Sequence, residues 1–407
     1  MTQETLRPAF SGREKPLVSH GIGFAEALTQ HVDDIFHSSS IYLLASKSLA
    51  SNTSHLQNAK SALGSKLSGI RVGMKPHSQW SEILQIVSDA RTCKADLLVT
   101  LGASSLTDAA KVISLALAND VASAEEIESL HPESPKHTGH IKPAQIPIIC
   151  VPTSLSGGEY SATAGATNDE TGRKWAFSAQ AGIKCPDLVI LDPELSASTP
   201  EHIWLSTGVK SVDHCVETLC SLESDQQADE DARKGLQKLV PGLLGNKTDG
   251  RDLGKRLECQ LGVINAMSAC SRGVPLGASH GIGHQLGPVG VGHGETSCLL
   301  LPAVCKYNFE NGANRERQNA VIEILWQLPE AAAIFEERSL KREEVDLGDL
   351  LDVVIQELGM PRSLSEFKIG EDQMDNIAEH SLQDRWVQSN PAPLDKKGVL
   401  DILKMIA

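Results

Sequence analysis

The chain has 407 residues, 41% of them hydrophobic and 22% charged, which is the balance of a well-packed globular protein with length enough for two domains. Its net charge of −15 and pI near 5.4 argue against a nucleic-acid or anionic-membrane partner, since both need a basic footprint to displace counterions; a small-molecule partner is expected. Nine cysteines, at 93, 150, 185, 215, 220, 259, 270, 298 and 305, form no C-x-x-C pair and suit reduced, buried thiols. The N-terminal stretch lacks an apolar core of signal-peptide length and no run reaches the ~18 apolar residues of a membrane span, so a cytoplasmic protein is expected.

In chain order, the first half alternates short apolar runs with amphipathic segments, the pattern of a parallel sheet covered by helices. IYLLAS (41–46) reads as a strand, SHLQNAKSALGSKL (54–67) as a helix, IRVGM (70–74) as a short strand, WSEILQIVSDARTCK (80–94) as a helix and DLLVTLG (96–102) as a buried strand. The turn GASS (102–105) runs into a helix, LTDAAKVISLALAN (106–119). Residues 120–145, with three prolines and mixed charge, read as a surface insertion; QIPIICVPT (145–153) and CPDLVILDPEL (185–195) read as strands. From about residue 200 the period is helical throughout, with DLGDLLDVVIQELGMP (346–361) closed by Gly359 and Pro361. The expected architecture is α/β plus all-α: a Rossmann-like parallel-sheet domain over 1–199, then an all-helical domain over 200–407.

Chemistry concentrates in three places. The stretch 276–302 holds His280, His284 and His293; the first two are four residues apart and so neighbours on a helix surface, and the third follows a glycine-broken turn. In TGVKSVDHCVET (207–218) Lys210 and His214 are likewise four apart. Imidazoles so grouped serve as metal ligands or proton-transfer groups, with scattered surface or core histidines as the plain alternative. At 102–105 a strand ending in a small-residue turn that opens a helix offers free N–H groups to a phosphate, or merely permits close packing. PTSLSGGEYSATAG (152–165) could hydrogen-bond a ribose and adenine, or be an ordinary Ser/Gly loop.

HGIGHQLG with the following GHG, at 280–294, together with TGVKSVDHCVE at 207–217, resembles the histidine motif and upstream ligand helix of the iron-containing alcohol dehydrogenase superfamily. GASSLTDAAK (102–111) resembles its dinucleotide-diphosphate loop, with Ala103 and Ser104 in place of glycines. The loop after Pro152 has a length closer to the maleylacetate reductase branch. This resemblance implies NADH or NADPH as cofactor, with Gly102, Ala103, Ser104, Ser105, Asp108, Thr153, Ser154, Ser156, Lys174 and Leu195 at cofactor-contacting positions, and a homodimer is plausible by the same resemblance. In metal-using members an aspartate and three histidines hold a divalent ion; His214, His280 and His293 match the histidines, and Lys210 stands where the aspartate would. An ammonium cannot coordinate a metal and repels one by several kcal/mol at roughly 4 Å in a partly screened site. The resemblance therefore implies a reductase without catalytic metal, in which Lys210, His214, His280, His284 and His293 polarise a small carbonyl or alcohol substrate and move its proton. The alternatives are a metal-dependent alcohol dehydrogenase in which Asp213 restores a ligand, or a relative that has lost redox activity and binds, eliminates or cyclises. At the end of the first strand, Ser46, Lys47 and Ser48 offer no acid for the adenosine 2′-hydroxyl, so NADPH is expected to serve at least as well as NADH.

Overall fold

The central strands of the first half are nearly continuous apolar runs, because each is buried on both faces and successive residues point into opposite cores. The structure is a computed structural model that describes residues 3–75, 78–137 and 139–407. Its strands are β1 (Thr5–Pro8), β2 (Leu17–His20), β3 (Ile41–Ala45), β4 (Leu67–Val72), β5 (Leu97–Gly102), β6 (Ile148–Pro152), β7 (Ala164–Thr167), β8 (Lys174–Phe177) and β9 (Leu188–Leu191). Seven form one sheet in the order β1-β2-β9-β6-β5-β3-β4, parallel except for the β1–β2 pair, and β7 and β8 make a separate antiparallel hairpin. Alternate residues of β5 and β6 feed two different cores. Leu98, Ile148 and Cys150 join the apolar face of helices Trp80–Thr92 and Ser104–Ala118, whereas Leu97, Val99, Leu101, Ile149 and Val151 join Phe24, Leu28 and Val32 of helix Phe24–Asp34.

The chain leaves β3 for β4 on one side, then returns across it to place β5 on the other. The C-terminal ends of β3 and β5 therefore flank the point where the winding reverses, which is where open α/β sheets take ligands. The GASS turn lies at one of these ends and Ser46–Ser48 at the other, joined by a hydrogen bond from Ser46 N to Leu101 O (2.9 Å).

Several boundaries differ from expectation. The helix expected over 54–67 ends at Leu63, because Gly64 adopts φ 53°, and the following strand begins at Leu67 rather than at 70. Helix Ser104–Ala118 starts two residues early, so Ser104 and Ser105 are its first turn. The segment 120–145 is more than a surface insertion: Ser123 and Glu126 form a capping box on helix Ala124–Ser129, and Val121, Ile127, Leu130 and Ala144 are buried in the core.

Clustering of contacts separates a unit ending at Thr199 from a unit Pro200–Ala407. Among the described residues the second has no strand. Helix Glu201–Cys220 is buried along nearly its whole length from Trp204 on, and a helix buried all round belongs at the centre of its unit. Trp204 Nε1 donates to Asn246 Oδ1 at 3.0 Å, which satisfies the indole while its face takes Arg256. No helix among the described residues is long and apolar enough to cross a membrane.

Helices Gln226–Thr248 and Leu253–Cys270 approach closely through glycine. A Cβ at Gly242 would lie 2.5 Å from Cys259 Sγ and 3.2 Å from Lys255 O. Gly242→Ala is expected to destabilise the helical unit by about 1–3 kcal/mol, as overpacking does, visible as a lower urea midpoint at unchanged slope; an unchanged midpoint would show that the helix pair yields freely.

Candidate functional site

In the helical unit, the spacing of four in helix Glu201–Cys220 aligns two pairs. Lys210 with His214, and Asp213 with Glu217, follow two adjacent stripes of the helix. Helix Ala278–Leu286 meets them with Ser279 and His280. The His280 ring nitrogen Nδ1 is 2.7 Å from Glu217 Oε2 and 3.4 Å from Asp213 Oδ2. Ser279 N donates to Glu217 Oε1 at 2.9 Å; its hydroxyl donates to Asp213 Oδ2 at 3.0 Å, and Ser297 Oγ donates to the same oxygen at 2.6 Å. The approach requires a glycine: a Cβ at Gly277 would lie 2.9 Å from Glu217 Oε1. The rings of His214 and His280 stack with centroids 4.7 Å apart.

All four groups are buried, and burial decides their protonation. Desolvation pushes the Asp213 carboxyl up to about 6, against the pull of His280, and the Glu217 carboxyl up to about 7, against its backbone hydrogen bonds. It drives His280 down to about 3 and His214 well below the usual imidazole value, with Lys210 lowering both further. Near neutral pH both imidazoles are uncharged, and the acid pair is where the site's proton is held. Three buried polar atoms, Asp213 Oδ1, His214 Nδ1 and His280 Nε2, have no hydrogen-bond partner, so a site already tied together internally keeps unspent polar capacity.

The five residues expected to converge sit in different surroundings. Lys210, His214 and His280 are gathered, with the Lys210 charge acting on His214, His280, Asp213 and Glu217. His284 shares the helix with His280 but its Nδ1 lies 2.8 Å from Asp384 Oδ2, with the side chain 42% exposed. His293 lies in the exposed turn before helix Glu295–Glu310, where its carbonyl accepts from Thr296 Oγ1. Among the described residues, one group of three ligand-capable side chains has its atoms within 4.8 Å of one another: Asp213, Glu217 and His280. It omits His214 and His293, and its carboxylates are already engaged by Ser279, Ser297 and His280. Glu217, which the spacing reading passed over, is the residue at its centre. An acid three residues after His214 in an otherwise apolar run was the available signal.

In the first unit, the glycine turn joins β5 to helix Ser104–Ala118. Gly102 ends β5 at φ 152°, where a Cβ would lie 2.8 Å from Leu106 Cδ1 and 3.0 Å from Ser46 Cβ. Ala103 is the residue before helix Ser104–Ala118, and Ser104 Oγ is buried without a partner at the helix start. Ser105 O accepts from Ser78 Oγ, and Thr153 N donates to Gly102 O at 3.2 Å. Ser154 and Ser156 hydroxyls are 3.2 Å apart. Two assigned positions have other duties. Asp108 Oδ2 accepts from Gly165 N at 3.2 Å, and Lys174, on β8, lies over Gly165. Leu195 has no exposed surface and packs in the core beside β9.

The chain matches the Fe-containing alcohol dehydrogenase family C-terminal region over residues 204–407 and the iron-containing alcohol dehydrogenase family over 17–193. The chain belongs to the iron-containing alcohol dehydrogenase family. It is similar to dehydrogenase FUM7 of Gibberella moniliformis, 39% identical with 98% of each chain covered, and to dehydrogenase ALT3 of Alternaria alternata, 39% identical over 91% of this chain and 99% of that one. Its fold is shared with a maleylacetate reductase from Agrobacterium tumefaciens (TM-score 0.72, 22% identity, 100% and 98% covered) and with a sulfoacetaldehyde reductase from Bifidobacterium kashiwanohense in complex with NAD+ (TM-score 0.79, 19% identity, 96% of each covered). As a family member it is an NAD(P)-dependent oxidoreductase.

The raised carboxyls have a consequence for stability. Glu217 ionises near 7 when folded and near 4.5 as a free side chain, so the stability associated with its protonated form is present below about 4.5 and is lost as pH rises through about 7. Glu217→Gln removes that titration. Between pH 5 and pH 8 the variant should lose less unfolding free energy than the wild type, by on the order of 1–3 kcal/mol; equal pH slopes in urea titrations would contradict the assignment.

Proposed function

We propose that this protein transfers hydride between a nicotinamide cofactor and a small carbonyl or alcohol substrate without a catalytic metal, in the manner of a maleylacetate reductase. The observation that carries this reading is Lys210. A fixed ammonium acts on His214, His280, Asp213 and Glu217 at the position where metal-using relatives hold an acidic ligand. An ammonium among these groups opposes a divalent ion, even though Asp213 Oδ1, His214 Nδ1 and His280 Nε2 are open and Asp213, Glu217 and His280 lie within ligand distance of one another. His280 Nδ1 is committed to Glu217, and both carboxylates accept serine or backbone donors.

Bound nicotinamide supplies or takes the hydride. Lys210 opposes the negative charge that grows on the substrate oxygen as a carbonyl is reduced, as a preorganised electrostatic donor does, and would also orient a carboxylate on the substrate. His280 handles the proton. With Glu217 as the acid donating to Nδ1, the ring holds its own proton at Nε2 and can give it to the oxygen while Nδ1 takes the Glu217 proton. In the oxidative direction Nε2 accepts the alcohol proton and Nδ1 returns one to Glu217. Neither direction requires a charged imidazole, in keeping with the low pKa of His280. His284, oriented by Asp384 and half-exposed, is a second group able to exchange a proton with solvent. The dinucleotide is assigned to the crevice at the ends of β3 and β5, which the reversed winding, the Gly102 turn and the unpartnered Ser104 hydroxyl support.

Lys210→Met should leave the protein folded and lower kcat/KM about 10²–10³-fold, the loss typical of one electrostatic donor; unchanged turnover in steady-state assays would remove Lys210 from the chemistry. The acid-free Ser46–Ser48 segment predicts NADPH turnover at least equal to NADH, and tenfold faster NADH oxidation at equal low concentration would contradict it.

A further inference from the structure

Helix Ser104–Ala118 carries a lysine that the chemistry above does not use. Lys111 is 1% exposed, and burying an ammonium costs several kcal/mol unless it is paired and hydrogen-bonded. Its Nζ donates to Gly158 O at 2.6 Å and to Thr163 O at 2.7 Å, reaches Ser161 Oγ at 3.5 Å, and lies 3.7 Å from Asp108 Oδ1. The two carbonyls bracket the short 3-10 turn Gly158–Tyr160 in the loop after β6. Asp108 fastens the same segment further on, accepting from Gly165 N at 3.2 Å.

The loop held in this way rests on the glycine turn. A Cβ at Gly158 would lie 3.2 Å from both Cβ and Oγ of Ser104, so the Gly158 backbone sits directly against the first turn of helix Ser104–Ala118. The face of the loop and the start of the helix are thus one assembly, and the cation beneath sets the spacing between them. We infer that Lys111 is a positioning residue for cofactor binding, a buried clamp that holds the 154–163 loop down on Ser104 and thereby fixes the shape of the dinucleotide crevice. Methionine matches the length of lysine but takes the ammonium donor from the Gly158 and Thr163 carbonyls and the cation from Asp108, and the loop is expected to lift. This inference rests on the reading that the dinucleotide occupies that crevice.

The test is NADPH binding, followed by protein fluorescence, together with amide hydrogen exchange. Wild type should bind, and Lys111→Met should raise Kd at least tenfold, raise KM more than it lowers kcat, and speed exchange of amides in 157–165 while the helical unit keeps its protection. Should Lys111→Met fail to fold, Gly158→Ala leaves the buried charge in place and lifts the same loop from the other side. It should weaken NADPH binding, and Ser104→Gly added to it should restore part of that loss. A wild type that binds NADPH alongside a Lys111→Met variant, or a Gly158→Ala variant, of equal Kd and equal exchange overturns the clamp alone. A wild type that binds neither NADPH nor NADH overturns the dinucleotide reading with it.

Discussion

The pairing of His280 Nδ1 with Glu217 Oε2, at 2.7 Å inside the helical unit, is the constraint on which the rest of the site depends. It takes an imidazole and a carboxyl out of water together, and each can stay buried only because the other shares its proton. The local sequence serves that contact. Gly277 leaves room for the carboxylate, Ser279 satisfies Glu217 through its N–H and Asp213 through its hydroxyl, and Ser297 brings a second donor from helix Glu295–Glu310. A Cβ at Gly294 would lie 2.6 Å from the carbonyl carbon of Ser206, so glycine there lets that helix start against the backbone of helix Glu201–Cys220. The three helices meet closely because small residues occupy their crossings.

On the proposed reading, charge separates this site from a metal centre. A divalent ion attracts carboxylates and needs neutral nitrogens free to bind; here burial raises both carboxyls, His280 Nδ1 is occupied by Glu217, and the Lys210 charge acts on the same groups. On that reading Lys210 supplies the positive potential that an ion would otherwise provide. The two solutions place charge at the same part of the helix by different means, and the second keeps its charge covalently attached to the chain.

Much of the fold is readable from the chain because its physics is local. Two-sided burial of Leu97–Gly102 and Ile148–Pro152 shows as unbroken apolar runs, and the start of helix Ser104–Ala118 shows as small residues after a strand. The site is less readable because it depends on helix rotation. A spacing of four says that His280 and His284 are neighbours, but which of them faces inward is settled by Glu217 on one side and Asp384 on the other, residues 63 and 100 positions away. The β7–β8 hairpin and the buried part of 120–145 are obscured for a similar reason: polar and proline-containing stretches gain their order from the core they cover, where Trp175 and Phe177 join Ile127 and Leu130 in one cluster and meet the ring of His131.

The central claim is that hydride transfer here proceeds with a fixed cation in place of a metal. Its most direct test is elemental analysis of the purified, active protein by mass spectrometry, paired with turnover before and after exhaustive chelation. The account predicts far less than one equivalent of iron, zinc, manganese or nickel per chain and turnover unchanged by the chelator. One equivalent of any of these metals, with activity lost on its removal and regained on its return, would contradict it.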